Sequence, residues 1–157
     1  MARSKSARKE DSNTAMAKRL AEVLSDTYVL GVKTHGYHWN VMGPLFAPLH
    51  KLFGEQYEAL FDAADEIAER IRALGLMPDG SMEAFLQNTA IKEADDKPLK
   101  AEAMVKDLLQ SHQLVRARII MAAEYADDID DAGTEDLMVQ RLQAHDKIIW
   151  MLRSQLA

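Results

Sequence analysis

The sequence predicts an all-α fold, a four-helix bundle with a short extra helix in the long second-to-third crossover. Three observations carry that expectation. Apolar residues recur at helical spacing along four long stretches. Only seven glycines and four prolines punctuate 157 residues, and strong helix formers dominate the rest. Residues 76–98 separate the second and third stretches, and a single-domain chain rarely carries so long a structureless connection.

Residues 1–12 are polar, with Arg3, Lys5, Arg8 and Lys9 followed by Glu10 and Asp11. Such a segment has too little apolar surface to order itself, so it reads as a flexible N-terminal tail. The functional alternative is a phosphate-contacting arm. The bundle domain then spans residues 13–157. Ser12, Asn13 and Thr14 supply N-cap side chains for the first helix. Its stripe runs through Met16, Leu20, Val23, Leu24, Thr27, Gly31 and Thr34, and Tyr28, Val29 and Val32 widen the apolar surface beyond one face. A helix apolar nearly all round is covered on two sides, which implies a subunit contact. Trp39 follows at that contact, and from the residues alone a core aromatic is its simpler role.

The second helix begins near Leu45 or Phe46 and ends at Gly75, a C-cap glycine. Ser81 to Leu86 has helix-start character and forms the short helix of the crossover. Asp95, Asp96, Lys97 and Pro98 introduce the third long helix, with Pro98 at or before its first turn. Its stripe is Met104, Leu108, His112, Val115, Ile119 and Ala122. The acidic run Asp127 to Asp131 with Gly133 breaks it. Thr134 caps the last helix, whose stripe is Met138, Leu142, His145, Ile149 and Leu152. His112 and His145 lie on apolar stripes and read as satisfied core histidines.

Composition excludes several classes. A formal charge of −6 argues against a surface built to coat nucleic acid. The chain has no cysteine, hence no disulfide and no thiolate metal site. No apolar run of about 18 residues is present, so no segment spans a membrane. The basic N-terminus has no apolar stretch behind it and is not a secretory signal. A cytoplasmic compartment fits these facts.

The chemistry concentrates between Thr34 and Leu74. His38 and His50 flank a Gly43-Pro44 turn, and Asp65 and Glu69 follow four residues apart. Two imidazoles and two carboxylates suit iron or another divalent transition metal. Glu58, Asp62 and Glu66 form one ladder of like charge, and Asp65 with Glu69 forms another. Like charges at this spacing repel by a few tenths of a kcal/mol per pair, so a cation is expected to compensate. Arg70 near Glu66 and Arg72 near Glu69 are the plain structural candidates. Leu49, Phe53, Gln56, Leu60, Ala64, Ile67, Ile71 and Leu74 project along one core line. Asp65 and Glu69 lie about 140° and 180° from Leu60, facing solvent or another subunit.

Taken together, His38-Trp39-Asn40, Gly43-Pro44, His50, Asp65-x-x-x-Glu69-Arg70 with Gly75, and Asp146-Lys147-x-x-Trp150-Met151 resemble the Dps family of miniferritins, named for DNA-binding proteins of starved cells. The resemblance covers nearly the whole chain and implies a ferritin-like bundle. It also implies a ferroxidase centre shared between two-fold-related subunits, with His38 and His50 from one chain and Asp65 and Glu69 from the other. Trp39 would lie beside the iron as a short-range electron donor. Fe(II) would be oxidised to Fe(III), with hydrogen peroxide as oxidant, and stored as ferric mineral inside a dodecamer. Asp127, Asp128, Asp130, Asp131, Glu135 and Asp136 would line its three-fold pores; without the resemblance they read as a solvated turn at a helix N-terminus. No Glu-x-x-His motif of the larger ferritins is present. One departure stands out: many members carry an acidic residue four positions after the second histidine, where this chain has Gly54. Glu55 is the nearest substitute, 100° further round the helix. His35 is a further, outer candidate for metal contact. The alternative functions are a DNA-binding, nucleoid-compacting protein with secondary iron chemistry, and a bundle that uses these residues only as an oligomer salt-bridge network.

Overall fold

A computed structural model describes residues 5–95, 97 and 99–157. Arg3, Asp96 and Pro98 lie outside the described residues, as does the side chain of Lys5. Among the described residues five helices follow in order: α1 Lys5–Asn40, α2 Phe46–Ala73, α3 Met82–Asn88, α4 Ala101–Asp128 and α5 Ala132–Ser154. The four long ones form the bundle. α1 packs on α2 and α4, α4 packs on α5, and α2 touches α5, while α3 lies in the crossover against α1.

α1 starts at Lys5, which corrects the expected boundary at residues 12–13. The three cap candidates serve elsewhere. Ser12 Oγ donates to the Arg8 carbonyl and Thr14 Oγ1 to the Glu10 carbonyl, both bonds back along a continuing helix. Asn13 Nδ2 donates to the Leu74 carbonyl at 3.1 Å and so satisfies an orphan group at the end of α2. The predicted α1 stripe is buried throughout. Its two threonines cost little inside, because Thr27 and Thr34 each donate to the carbonyl four residues back, at 2.7 and 2.8 Å.

α2 ends as predicted. Gly75 has φ +92°, the Gly75 amide donates to the Arg72 carbonyl and the Leu76 amide to that of Ile71. This is the paired closure that favours glycine at that position. In α3 the Ser81 hydroxyl accepts from the Ala84 amide, and Phe85 stacks on Tyr28 at 4.4 Å. The buried Asp26 carboxylate then ties the crossover to α1, accepting from Thr89 Oγ1 at 2.8 Å and the Ala90 amide at 2.7 Å. Burial raises the Asp26 pKa, against the pull of those two bonds and of Arg118.

The cap of α5 is Asp131, whose side chain accepts from the Thr134 amide; Thr134, expected in that role, is the third residue in and fully buried. Arg70 of α2 reaches this corner, bonding Asp131 at 2.6 Å and Thr134 at 2.9 Å. Gly133 gives it room, since a Cβ there would stand 2.9 Å from the guanidinium. Inside the bundle His112 and His145 face each other, Nδ1 to Nδ1 at 2.9 Å. They satisfy one another only in part, because His112 Nε2 has no partner among the described residues. Gln56, on the core stripe, is also buried, with neither amide atom bonded among the described residues.

Candidate metal centre

The end of α1 and the start of α2 run side by side after the turn at Gly43, which takes φ +100°. This places His38 and His50 ring on ring, with centroids 3.8 Å apart and planes 19° from parallel. Each ring is pinned to the other's backbone. His38 Nδ1 lies 2.7 Å from the His50 carbonyl oxygen, and His50 Nδ1 lies 2.8 Å from that of His38. A carbonyl only accepts, so both Nδ1 atoms carry protons and both Nε2 atoms keep a free lone pair. That is the tautomer a metal-binding histidine needs, fixed by the hydrogen bond its other nitrogen makes.

Gly54 lies against the His38 ring. A Cβ there would meet His38 Cε1 at 3.2 Å and Nδ1 at 3.3 Å. The His38 ring therefore packs closely against the bare backbone at position 54. Glu55 does not replace the missing acidic side chain, being exposed and 3.9 Å from Lys51.

Asp65 and Glu69 are exposed on the same helix as His50 but stand well away from it. Fifteen residues at 1.5 Å rise separate His50 from Asp65 by about 22 Å. Among the described residues no three His, Asp or Glu side chains gather to hold one ion. One chain thus carries two half-centres, an imidazole pair and a carboxylate pair. The arginines expected to neutralise the carboxylates are engaged elsewhere, Arg70 with Asp131 and Arg72 with the Leu76 carbonyl. Beside Asp65 runs an apolar groove of about 450 Å³ lined by Leu24, Tyr28, Phe61, Ala68 and Phe85.

Trp39 is not a core aromatic. It is 65% exposed, and its ring rests on His35 at 4.1 Å. His35 in turn stacks on Tyr57 at 3.9 Å, and Tyr57 meets the His38 ring at 5.3 Å. The sequence reading passed over Tyr57. Its spacing of seven from His50, two helical turns, was the available signal. Met42, Leu45 and Phe46 add further exposed apolar surface next to the imidazole pair.

In the acidic corner, Asp127, Asp128, Asp130 and Asp136 are exposed and Glu135 is half-buried. Asp131 differs from them, being held by Arg70 and Thr134. Burial pushes its carboxyl up, but the Thr134 hydroxyl and amide and the Arg70 guanidinium outweigh that and hold it below the usual range.

A ferritin-like domain model matches residues 17–157. The chain is 37% identical over 143 residues to DNA protection during starvation protein 2 of Bacillus anthracis, covering 88% of this chain and 97% of that one. The chain belongs to the ferritin-like family, in its Dps branch. An uncharacterised low temperature-induced protein of Nostoc is 47% identical to this Dps-family chain over 137 residues, 86% of the chain and 76% of the relative. The crystal structure of the Dps protein from Vibrio cholerae superposes with a TM-score of 0.90 at 30% identity, covering 94% of this chain and 92% of that one. That protein is described as a member of a superfamily of ferritin-like diiron-carboxylate proteins. The all-α bundle with a helix in its crossover is thus the Dps fold.

Proposed function

We propose that this Dps-family protein oxidises Fe(II) at centres shared between two copies of the chain and stores the product as ferric mineral within a dodecamer. DNA is thereby protected through removal of iron and peroxide. The observation that carries the reading is the interlocked His38–His50 pair, its Nε2 lone pairs held open about 22 Å from an unneutralised Asp65–Glu69 pair. Two copies of α2 packed antiparallel about a two-fold axis bring each imidazole pair to the other copy's carboxylates. Such a pairing closes on itself and yields two equivalent centres. The exposed Trp39, Met42, Leu45 and Phe46 supply apolar surface for that contact, and the groove beside Asp65 supplies more.

Imidazole nitrogen and carboxylate oxygen together suit Fe(II), and the carboxylates favour the harder Fe(III) once it forms. Hydrogen peroxide is the oxidant we assign. It takes one electron from each of two Fe(II) ions, its O–O bond breaks, and both oxygens leave as water with two protons from solvent. The acidic residues at the α4–α5 corner, exposed Asp127, Asp128, Asp130 and Asp136 with half-buried Glu135, are suited to gathering cations at an entry pore. Asp131 is less available there, being already paired.

The nucleoid-compacting alternative is weakened by the N-terminal helix. Arg8 and Lys9, half of the proposed DNA arm, share a groove with Asp130 and Asp131. Anaerobic Fe(II) titration followed by peroxide addition tests the reading. The assembled wild type should bind Fe(II) and oxidise it rapidly, while His38→Ala and Asp65→Ala oligomers should each be slower by about 10²-fold, as expected on losing a coordinating side chain. Wild-type rates in both assembled variants would refute it.

A further inference from the structure

Five buried side-chain atoms have no hydrogen-bond partner among the described residues, and three of them belong to two residues of the bundle core: both amide atoms of Gln56, and His112 Nε2. Gln56 is 4% exposed and His112 is fully buried. Of the other two atoms, Asp26 Oδ2 faces the Arg118 guanidinium at 3.3 Å. Gln56 and His112 have no such neighbour, and a buried polar group left unpaired keeps its full desolvation penalty.

The helices bring these two residues to one place. The bonds between His38 and His50 set the register of α1 on α2, and put Gln56 level with Val32. Lys33 bonds Asp107 and Ser111, and Tyr37 bonds Asp107, which puts Val32 level with the turn of α4 around Ser111 and His112. Gln56 and His112 therefore stand at one height, to within about one helical turn. α2 and α4 occupy opposite corners of the bundle, each packed on α1 and α5. Neighbouring axes about 8–10 Å apart make that diagonal about 13 Å, which two inward side chains close to about the width of a water.

The donor set decides what fits there. His112 Nδ1 lies 2.9 Å from His145 Nδ1, and only one proton fits between them. Where His112 gives that proton, its Nε2 is a bare acceptor; where it accepts, Nε2 carries a proton and donates. Gln56 adds one acceptor and one donor. Water donates and accepts, and so serves every one of these states. A metal ion is disfavoured: among the described residues no third His, Asp or Glu joins the two imidazoles. The Arg141 charge already bears on His145, so a cation would stand in the core without a counter-charge. An apolar occupant would leave all three atoms unpaired.

We infer that the core between Gln56 and His112 binds ordered water, hydrogen-bonded to the Gln56 amide and to His112 Nε2 and linked through His112 to His145. The site is polar and enclosed, as buried-water sites are, and it joins α2, α4 and α5 across the middle of the bundle. It stands apart from the iron chemistry proposed above, and no residue of the two half-centres takes part in it.

A high-resolution crystal structure of the assembled wild type tests this directly. Water density is expected within about 3 Å of both a Gln56 amide atom and His112 Nε2. No ordered density there, or a peak with the anomalous scattering of a transition metal, overturns the inference. Urea midpoints of Gln56→Leu, His112→Leu and the double variant give an independent reading. With shared water each single variant loses stability, because the polar groups left behind lose partners, and the double variant falls by less than the two shifts combined. Additive shifts, or a raised midpoint in Gln56→Leu, mean that the amide was dry and overturn the inference equally. The crystallographic arm needs no substitution, so it decides even where a variant fails to assemble.

Discussion

A Cβ at position 54 would press on Cε1 and Nδ1 of His38 at 3.2 and 3.3 Å, so the ring would have to shift by a few tenths of an ångström within its stack on His50. Glycine in mid-helix costs roughly 0.5–1 kcal/mol relative to alanine, so helix stability and the centre pull in opposite directions here. Gly54→Ala should therefore hold or raise the thermal midpoint while weakening the first Fe(II) binding step by about tenfold, an order typical of disturbed ligand orientation. Calorimetry and anaerobic titration check the two halves, and unchanged affinity would show that the imidazole pair tolerates the methyl group. The sequence marked position 54 as a departure but only as a lost ligand; that glycine makes room for His38 required the α1–α2 register. His112 and His145 show a similar boundary. Helical periodicity placed both in the core, whereas their mutual bond depends on how α4 meets α5. Burial, with repulsion from Arg141 and a smaller opposing pull from Asp146, depresses His145 to about 3. Burial, with repulsion from His145, holds His112 well below its usual value. Above about pH 6.5 both are neutral whether folded or unfolded, and stability is full. Below it the unfolded chain takes up protons that the bundle refuses, so stability falls with pH by up to about 1.4 kcal/mol per pH unit for each group, for His145 down to about pH 3. Urea midpoints between pH 6.5 and 5 should fall more gently in a His112→Leu/His145→Leu double variant; an equal slope would assign the acid sensitivity to other groups.

At the scale of elements, apolar periodicity located the four long helices, because burial of one face decides where a helix forms, and helix-start residues in an overlong crossover located the short one. It was weaker on their ends. Ser12, Asn13 and Thr14 have cap chemistry, yet α1 runs through them, since Asn13 is spent on the Leu74 carbonyl and the hydroxyls bond backward. The α5 start moved for a related reason. Asp131 is placed to accept from Thr134 and to pair with Arg70, a partner sixty-one residues distant that no local pattern reveals. Arg70 thereby fastens the end of α2 to the α4–α5 corner in a setting that is only partly solvent-exposed. Arg70→Ala should lower unfolding stability by about 2 kcal/mol, the range for losing charge-assisted bonds and leaving a half-buried carboxylate unpaired. Arg72→Ala, which removes one exposed bond to the Leu76 carbonyl, should stay within about 0.5 kcal/mol of wild type. Equal midpoints for the two variants in urea would mean that the corner contributes nothing.

For the whole molecule the candidate ligands could be named from the sequence, and the structure holds them as two separate groups, His38 at the end of α1 beside His50 at the start of α2, and Asp65 with Glu69 about 22 Å further along α2. Assembly also bounds what the N-terminus can do. With Arg8 and Lys9 beside Asp130 and Asp131, plasmid binding is expected only below about 50 mM salt, falling steeply as salt rises. A mobility shift that persists at physiological salt would contradict this. The sharpest consequence of a shared centre is complementation. A His38→Ala chain and an Asp65→Ala chain should each be slow alone, by about 10²-fold, since every two-fold pair then lacks the same ligand in both centres. In a mixed pair, one centre takes the altered imidazole pair and the altered carboxylate pair together, and the other takes both intact halves. Random co-assembly at equal amounts makes about half of all pairs mixed, so about a quarter of all centres are whole. Oligomers refolded together from the two chains should regain roughly a quarter of the wild-type oxidation rate. Each parent refolded alone serves as the baseline, and mass spectrometry establishes mixing. Ligands contributed within one chain would leave no centre whole at any ratio, so proven mixed oligomers as inactive as their parents would rule out the two-chain centre.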